Sequence, residues 1–243
     1  MIQGLYKCFD HWHQNGTLFI YSDPHFDDAE LVAGVANYPS AEEQVKMINA
    51  KVGKKDTIVF LGDINNVEWI KKIRGYKVLI MGNHDTGRTN YERITYHEIF
   101  EADMDKKSVR DAMARLYPNC KYFIEEGRGF HAPFEWWDAY ADNQLFDEVY
   151  EGPVMISEKL ILSHEPVNIP WAFNIHGHIH DTRHKNDKYH FNVCANIINY
   201  TPINFNQWMK EGHLAPIESL HRGTIDYATN RAKKRGYKLT KYE

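Results

Sequence analysis

The sequence predicts an α/β or layered α+β domain, and three observations carry that expectation. Five short apolar runs, Leu18 to Tyr21, Thr57 to Leu61, Val78 to Met81, Leu160 to Leu162 and Phe173 to Ile175, are rich in branched and aromatic residues. Such runs read as strands buried on both faces. Helical patterns separate the first three, and the strand–helix alternation is that of a covered sheet. The chain has 243 residues, 43% apolar and 26% charged, which suits one compact domain over residues 1–243.

The first helical pattern, Ser40 to Val52, opens with Ser40 as a cap and Glu43 three residues on, a capping box. Val67 to Ile73 gives a shorter amphipathic segment. After Asp85 the rhythm breaks. From Thr86 to about Gln144 the chain reads as an insertion, with a helix at Lys107 to Leu116 closed by Pro118 and an aromatic segment holding Phe130, His131, Phe134, Trp136, Trp137 and Tyr140. Its apolar content looks too thin to close a core alone, so Trp136 and Trp137 read as extra core, a dimer contact or a cover for a site mouth. Phe146 to Tyr150 and Pro153 to Ile156, separated by Glu151 and Gly152, read as a hairpin. A strand around Tyr189 to Val193 and a helix at Phe205 to Lys210 follow.

The charge balance excludes some functions. With 29 Lys+Arg against 33 Asp+Glu, the net charge of -4 gives no overall field to hold a nucleic acid. The basic tail of Arg231, Lys233, Lys234, Arg235, Lys238 and Lys241 reads as a solvated terminus. No apolar run is long enough to span a membrane and no secretion signal leads the chain, so the expectation is a cytoplasmic protein without a membrane partner. Cys8, Cys120 and Cys194 fit neither a metal pair nor a disulfide framework. The 14 histidines stand out, because imidazole is the commonest metal ligand and acid–base group.

Their placement is informative. Ser22, Asp23, Pro24 and His25 follow the first apolar run; Gly62 and Asp63 the second; Gly82, Asn83, His84 and Asp85 the third; Ser163 and His164 the fourth; His176, Gly177, His178 and His180 the fifth. In a parallel sheet the loops beyond the carboxyl ends share one edge, so these groups converge. Carboxylates and imidazoles without thiolates suit manganese, iron, zinc or nickel.

Asp23 and His25 as DxH, Gly62–Asp63 as GD, Gly82 to Asp85 as GNHD, the isolated His164, and Gly177 to His180 as GHxH resemble, in order and spacing, the five motifs of the calcineurin-like metallophosphoesterases. The stretch Asn192 through Asn199 to Ile203 is similar to a small bacterial and phage branch of that superfamily. The resemblance implies a four-layer αββα sandwich with two divalent ions, manganese first, at the strand ends. It implies Asp23, His25 and His180 on one ion, Asn83, His164 and His178 on the other, and Asp63 across both, with one carboxylate oxygen for each. His84 is left for chemistry beside Asp63 and Asn83, as the general acid at the scissile phosphate. Two such ions lower the pKa of a shared water and support in-line attack on phosphorus.

His176 reads as structural or as support to the ligands, as does Asp85, while Arg88 and Arg128 are phosphate contacts weighed against solvated surface residues. His97, His131, His184, His190, His213 and His221 match no motif and read as surface or satisfied positions. One departure is notable: where phosphoprotein phosphatases carry Asp and Arg three residues after the bridging Asp, this chain has Asn66 and Val67. Asn66 is still able to accept a hydrogen bond from His84, but without the charge. The expected activity is therefore phosphodiester hydrolysis. A nucleotide phosphomonoesterase or pyrophosphatase, a nuclease, and a silent binding scaffold are the alternatives, and the substrate partner is a phosphate ester, including nucleotides and nucleic acids. Oligomeric state is not legible.

Overall fold

The structure, a computed structural model, describes residues 6–13, 16–34, 37–129, 134–181, 186–217, 228, 230, 231 and 233–236. Phe130, His131, His184, His221, Lys238 and Lys241 lie outside the described residues. Strand β1 (Leu18–Tyr21) is followed by helices α1 (Ala29–Gly34) and α2 (Ala41–Lys51), then by β2 (Thr57–Phe60), a 3-10 helix at Val67–Lys72 and β3 (Tyr76–Ile80). The next stretch holds α3 (Thr89–Glu92), β4 (Arg93–Glu101), α4 (Lys106–Leu116), β5 (Lys121–Gly127) and β6 (Trp136–Gln144). Strands β7 (Glu148–Tyr150), β8 (Val154–Ser157), β9 (Leu160–Ser163), β10 (Phe173–His176), β11 (His190–Asn192) and β12 (Ile203–Asn204) precede helix α5 (Phe205–Lys210).

Two sheets carry the site. The first runs β12-β1-β2-β3-β7 and the second β11-β10-β9-β8. All pairings of the first sheet are parallel except β1 with β12, and all of the second except β8 with β9. The expected lack of alternation in the apolar runs has a direct cause. Phe19, Tyr21, Ile58, Phe60 and Leu79 pack with Ala41, Val45 and Ile48 of α2, while Leu18, Ile20, Val59, Leu61, Val78 and Ile80 pack with Leu160, Leu162, Phe173 and Ile175 of the second sheet. Both faces of β1 to β3 are thus apolar, and the mixed α/β sandwich follows. The capping box forms as expected, with the Ser40 hydroxyl accepting from the Glu43 amide and the Glu43 carboxylate accepting from the Ser40 amide.

Two expectations need correction. Strands β7 and β8 are no hairpin: β7 extends the first sheet beside β3 and β8 pairs with β9 in the second. The Glu151–Pro153 link instead steps between layers, because each strand finds a free edge in a different sheet. The insertion, too, closes a core of its own. Its strands form a separate sheet, β4-β6-β5, and Val109 and Met113 of α4 pack on Ile124, Trp137, Ala139 and Ala141. One helix on one sheet needs a single apolar face per strand, and small Ala residues let the helix approach closely, so few large side chains suffice. Trp137 belongs to that core and donates its Nε1–H to the Met104 carbonyl at 2.7 Å.

Because this cluster shares no residue with the two main ones, Met113→Ala should loosen the insertion by about 2–5 kcal/mol while leaving the main sheets intact. Amide hydrogen exchange should accelerate in α4 and β4 to β6 and stay slow in β1 to β3. Equal acceleration throughout would show one shared cooperative unit instead.

Candidate metal centre

The loops after β1 and β2 zip together through backbone bonds, Asp23 N–H to Gly62 O at 3.1 Å, His25 N–H to Asp63 O at 3.1 Å and Phe26 N–H to Ile64 O at 3.0 Å. This holds side chains in an uncommon backbone state: Asp23, His25, Asp63 and His178 have φ of 54°, 40°, 54° and 67°. Such residues are strained by about 1–3 kcal/mol each and persist only where neighbours over-determine them. Asp85 supplies part of that determination. Its buried carboxylate accepts from the Gly82 and Asp63 amides at 2.9 Å and from the Ile64 amide at 3.1 Å, tying the loop after β3 to the loop after β2. Two glycines are needed for close approach. A Cβ on Gly82 would lie 2.3 Å from Asp63 Oδ1, and one on Gly177 would lie 2.0 Å from Ser22 Oγ and 2.2 Å from Asp23 Oδ2.

The five strand ends do converge, and they sort into two groups. Asp23, His25 and His180 place ligand atoms within 4.8 Å of one another, as do Asp63, His164 and His178. Asn83 joins the second group, its Oδ1 lying 2.8 Å from His164 Nε2 and 3.0 Å from His178 Nδ1. Asp63 stands between the groups, with Oδ2 at 3.5 Å from His25 Nε2 and 3.3 Å from His164 Nε2. Its Oδ1 accepts the His84 backbone N–H at 3.0 Å.

Hydrogen bonds decide which nitrogen of each imidazole is bare. His164 Nδ1 lies 2.7 Å from the Leu61 carbonyl, which only accepts, so Nδ1 keeps its proton and Nε2 is the nitrogen left for a cation once its own proton has gone. His25 Nδ1 faces the Asp28 carboxylate at 3.2 Å. His180 Nδ1 faces Asn196 Oδ1 at 3.2 Å, and the Asn196 amide is oriented by donating to the His180 carbonyl at 2.8 Å. Asp23 is oriented likewise. Its Oδ2 accepts from the Ser22 hydroxyl, from the His178 amide at 2.9 Å and from the Cys194 thiol at 3.2 Å, while Oδ1 turns to His180 Nε2 at 3.4 Å.

One atom tests whether a cation fits. His25 Nε2 is fully buried without any hydrogen-bond partner, and it points between two carboxylates. A buried bare nitrogen of this kind is costly unless an electrophile takes its lone pair. Oxygen and imidazole donors without thiolate suit a borderline divalent ion. The charges respond accordingly. Burial opposes ionisation of Asp23, but hydrogen bonds from His180 and Ser22 and the His164 charge hold its carboxyl below the usual range. Burial likewise opposes protonation of His164, yet the hydrogen bond to Asp63 and the Asp23 and Asp63 charges push it up to about 9.

The remaining sequence assignments divide. His84 is exposed beside the pair, its ring 5.6 Å from that of His25. Asn66 is not its partner: Nδ2 donates to Asp27 at 2.7 Å and Oδ1 caps the 3-10 helix by accepting from the Glu68 amide at 3.1 Å, which turns the side chain away. His176 is buried with Nδ1 2.8 Å from the Gly177 carbonyl, in neither group. Arg88 pairs with Glu92 at 2.7 Å and lines a cleft with Asp147 and Glu151 rather than the cleft that Asn83 and His164 border. Arg128 is an exposed partner of Glu126. His97, His190 and His213 pair locally with Asp138, Asp187 and Glu211. Sequence reasoning missed Asp28, Asn196 and Cys194. Asn196 falls inside the Asn192–Ile203 stretch that carried part of the resemblance, whereas a lone cysteine gave no signal.

The family model described as calcineurin-like phosphoesterase matches residues 16–211. The chain belongs to that family. No curated protein matches it. Among solved structures, a protein of unknown function from Aquifex aeolicus aligns over 80% of this chain and 98% of its own, at 19% identity and a TM-score of 0.45. The calcineurin-like phosphoesterases are metal-dependent phosphoester hydrolases whose centre typically holds two divalent ions, and the two His/Asp groups here are two candidate sites for them. Among the described residues, no helix is long and apolar enough to cross a membrane.

Protons and metal therefore compete for His164. At pH 7 its metal-free imidazole is protonated, so loading a divalent ion should expel about one proton from it. Since its pKa rises from 6.5 to about 9 on folding, its pairing with Asp63 stabilises the metal-free protein fully below pH 6.5 and is lost as pH climbs through about 9. The midpoint of thermal unfolding of the metal-free protein should fall across that window, and His164→Asn should flatten the fall. A flat wild-type profile would contradict the pairing.

Proposed function

We propose that the chain is a phosphodiesterase working through two divalent ions, manganese first and iron, zinc or nickel next, held by Asp23, His25, Asp63, Asn83, His164, His178 and His180. The observation that carries this reading is Asp63 Oδ2, poised between His25 Nε2 and His164 Nε2. Ions bound there would lower the pKa of a shared water, grip the phosphoryl oxygens and support in-line displacement without a covalent enzyme intermediate. The protein's own part is orientation. Asp28, the Leu61 carbonyl and Asn196 each hold an Nδ1 proton, so that Nε2 is the nitrogen three imidazoles would turn to the ions, His164 after losing its second proton. Asp63 Oδ1 takes the His84 amide, which fixes the backbone of the residue assigned to the leaving oxygen.

His84 acts as general acid in this reading, since its side chain is exposed at the centre. Preference for a diester follows from charge. Among the described residues no Lys or Arg lines the cleft that Asn83 and His164 border, and Asn66 and Val67 stand where phosphoprotein phosphatases carry a carboxylate and an arginine. A dianionic monoester meets no side-chain cation in that cleft among the described residues, whereas a monoanionic diester needs less compensation.

With manganese, an aryl phosphodiester should be hydrolysed faster than the matching monoester at equal concentration. A strong monoester preference would favour a phosphomonoesterase, and no turnover of either a silent scaffold. His84→Asn should keep both metals by elemental analysis while slowing turnover roughly 100- to 10,000-fold for alkyl leaving groups, and less for nitrophenol, which needs little protonation. Metal loss equal to that of His164→Asn, or near-normal turnover with a poor leaving group, would remove His84 from the chemistry.

A further inference from the structure

A cleft of about 210 Å³ opens directly from the second ligand group, bordered by Asn83 and His164. Its apolar wall includes Met81 and Val167. Among the described residues its charged side chains, apart from the His164 imidazole, are Glu151 and Glu165, and no Lys or Arg lines it. Both carboxylates are exposed. The neighbouring cleft holds Asp147 and Glu151, with Glu148 taken up by His11, Trp12, Tyr76 and Tyr150, and Arg88 of that cleft paired with Glu92. A substituent projecting from phosphorus on this side thus enters a small pocket lined by the Glu151 and Glu165 carboxylates.

From this we infer that the cleft selects a phosphodiester in which one alcohol substituent is a short cationic alcohol, with Glu151 and Glu165 as its specificity-determining residues. The inference rests on the phosphodiesterase reading and names the substrate class of that site. Methylenes or methyl groups pack on Met81 and Val167 while the cationic head meets the two carboxylates. The opposite case is penalised: a nucleic-acid strand or nucleoside polyphosphate would set further phosphates against Glu151 and Glu165 with no basic side chain in the cleft to offset them. The reaction is ordinary hydrolysis. Water delivers its oxygen to phosphorus, the P–O bond to the leaving alcohol breaks, and that alcohol departs with a proton.

Three 4-nitrophenyl phosphodiesters of matched size test this on the manganese-loaded full chain: the choline ester, its neutral 3,3-dimethylbutyl isostere and a 3-carboxypropyl ester. Expected kcat/KM falls in that order, with about tenfold between the choline ester and the neutral isostere at low salt, shrinking as salt rises. In the double variant Glu151→Gln, Glu165→Gln the ratio should approach one. Because it is a ratio within one protein, partial loss of folded enzyme does not move it. Equal rates for all three esters in the wild type, or a ratio unchanged in the variant, would overturn the cationic-alcohol assignment and leave the phosphodiesterase reading standing. Hydrolysis of none of them would overturn that reading and this one together. Loss of a third manganese ion per chain in the variant, by elemental analysis, would assign the two carboxylates to metal and overturn their role toward substrate.

Discussion

The Asp63 carboxylate is the point at which every layer of this structure meets. Its Oδ2 faces His25 on one side and His164 on the other, its Oδ1 holds the His84 amide, and its own amide is held by Asp85. Each of those contacts narrows the orientations open to the carboxylate or to the backbone that carries it. With all of them it has a single orientation. The two ligand groups are therefore coupled through one oxygen.

That orientation depends on backbone geometry the chain would not adopt locally. Asp23, His25, Asp63 and His178 all sit at positive φ, and the strain is offset by backbone bonds between the loops after β1 and β2 and by buried acceptors such as Asp85. The sandwich beneath makes this affordable. Strands whose two faces are both buried do not shift register easily, so their ends are fixed points from which strained loops project. A metal ion would act on the same balance, since ligands already converged lose little freedom when they bind.

Electrostatics sets the character of the centre. Two buried carboxylates are kept ionised by imidazole neighbours and amide donors, while His25, pushed down by burial against the pull of Asp23 and Asp63, keeps a bare Nε2. The array is a cation trap before any cation arrives. Among the described residues, no Lys or Arg lines the cleft that Asn83 and His164 border.

Much of this was legible in the sequence, and for a local reason. Which strands are buried on both faces follows from unbroken apolar runs, and which residues cap them follows from the Asp, Asn, His and Gly at their carboxyl ends; the family resemblance implied the grouping of Asp23 with His25 and His180 and of Asp63 with His164 and His178, and those side chains do cluster so. The sequence also determined the capping box of α2 and the reach of helix α5. What only the tertiary structure decided depends on partners distant along the chain. The Cys194 thiol meets Asp23 across 171 positions, Leu61 orients His164 across 103, and neither pairing has a residue-type signature. Asn66 reads as a partner for His84 until the helix beginning at Val67 claims its carbonyl as a cap. The insertion's core hid for a related reason: two alanines count for little in composition, but under a helix they let Val109 and Met113 approach the sheet. Residue types and periodicity specify what a segment buries and what chemistry it carries. Rotamer, tautomer and the choice of sheet for β7 and β8 are settled only when packing brings the competing partners together, because each is a small free-energy difference between alternatives that the local chain leaves open.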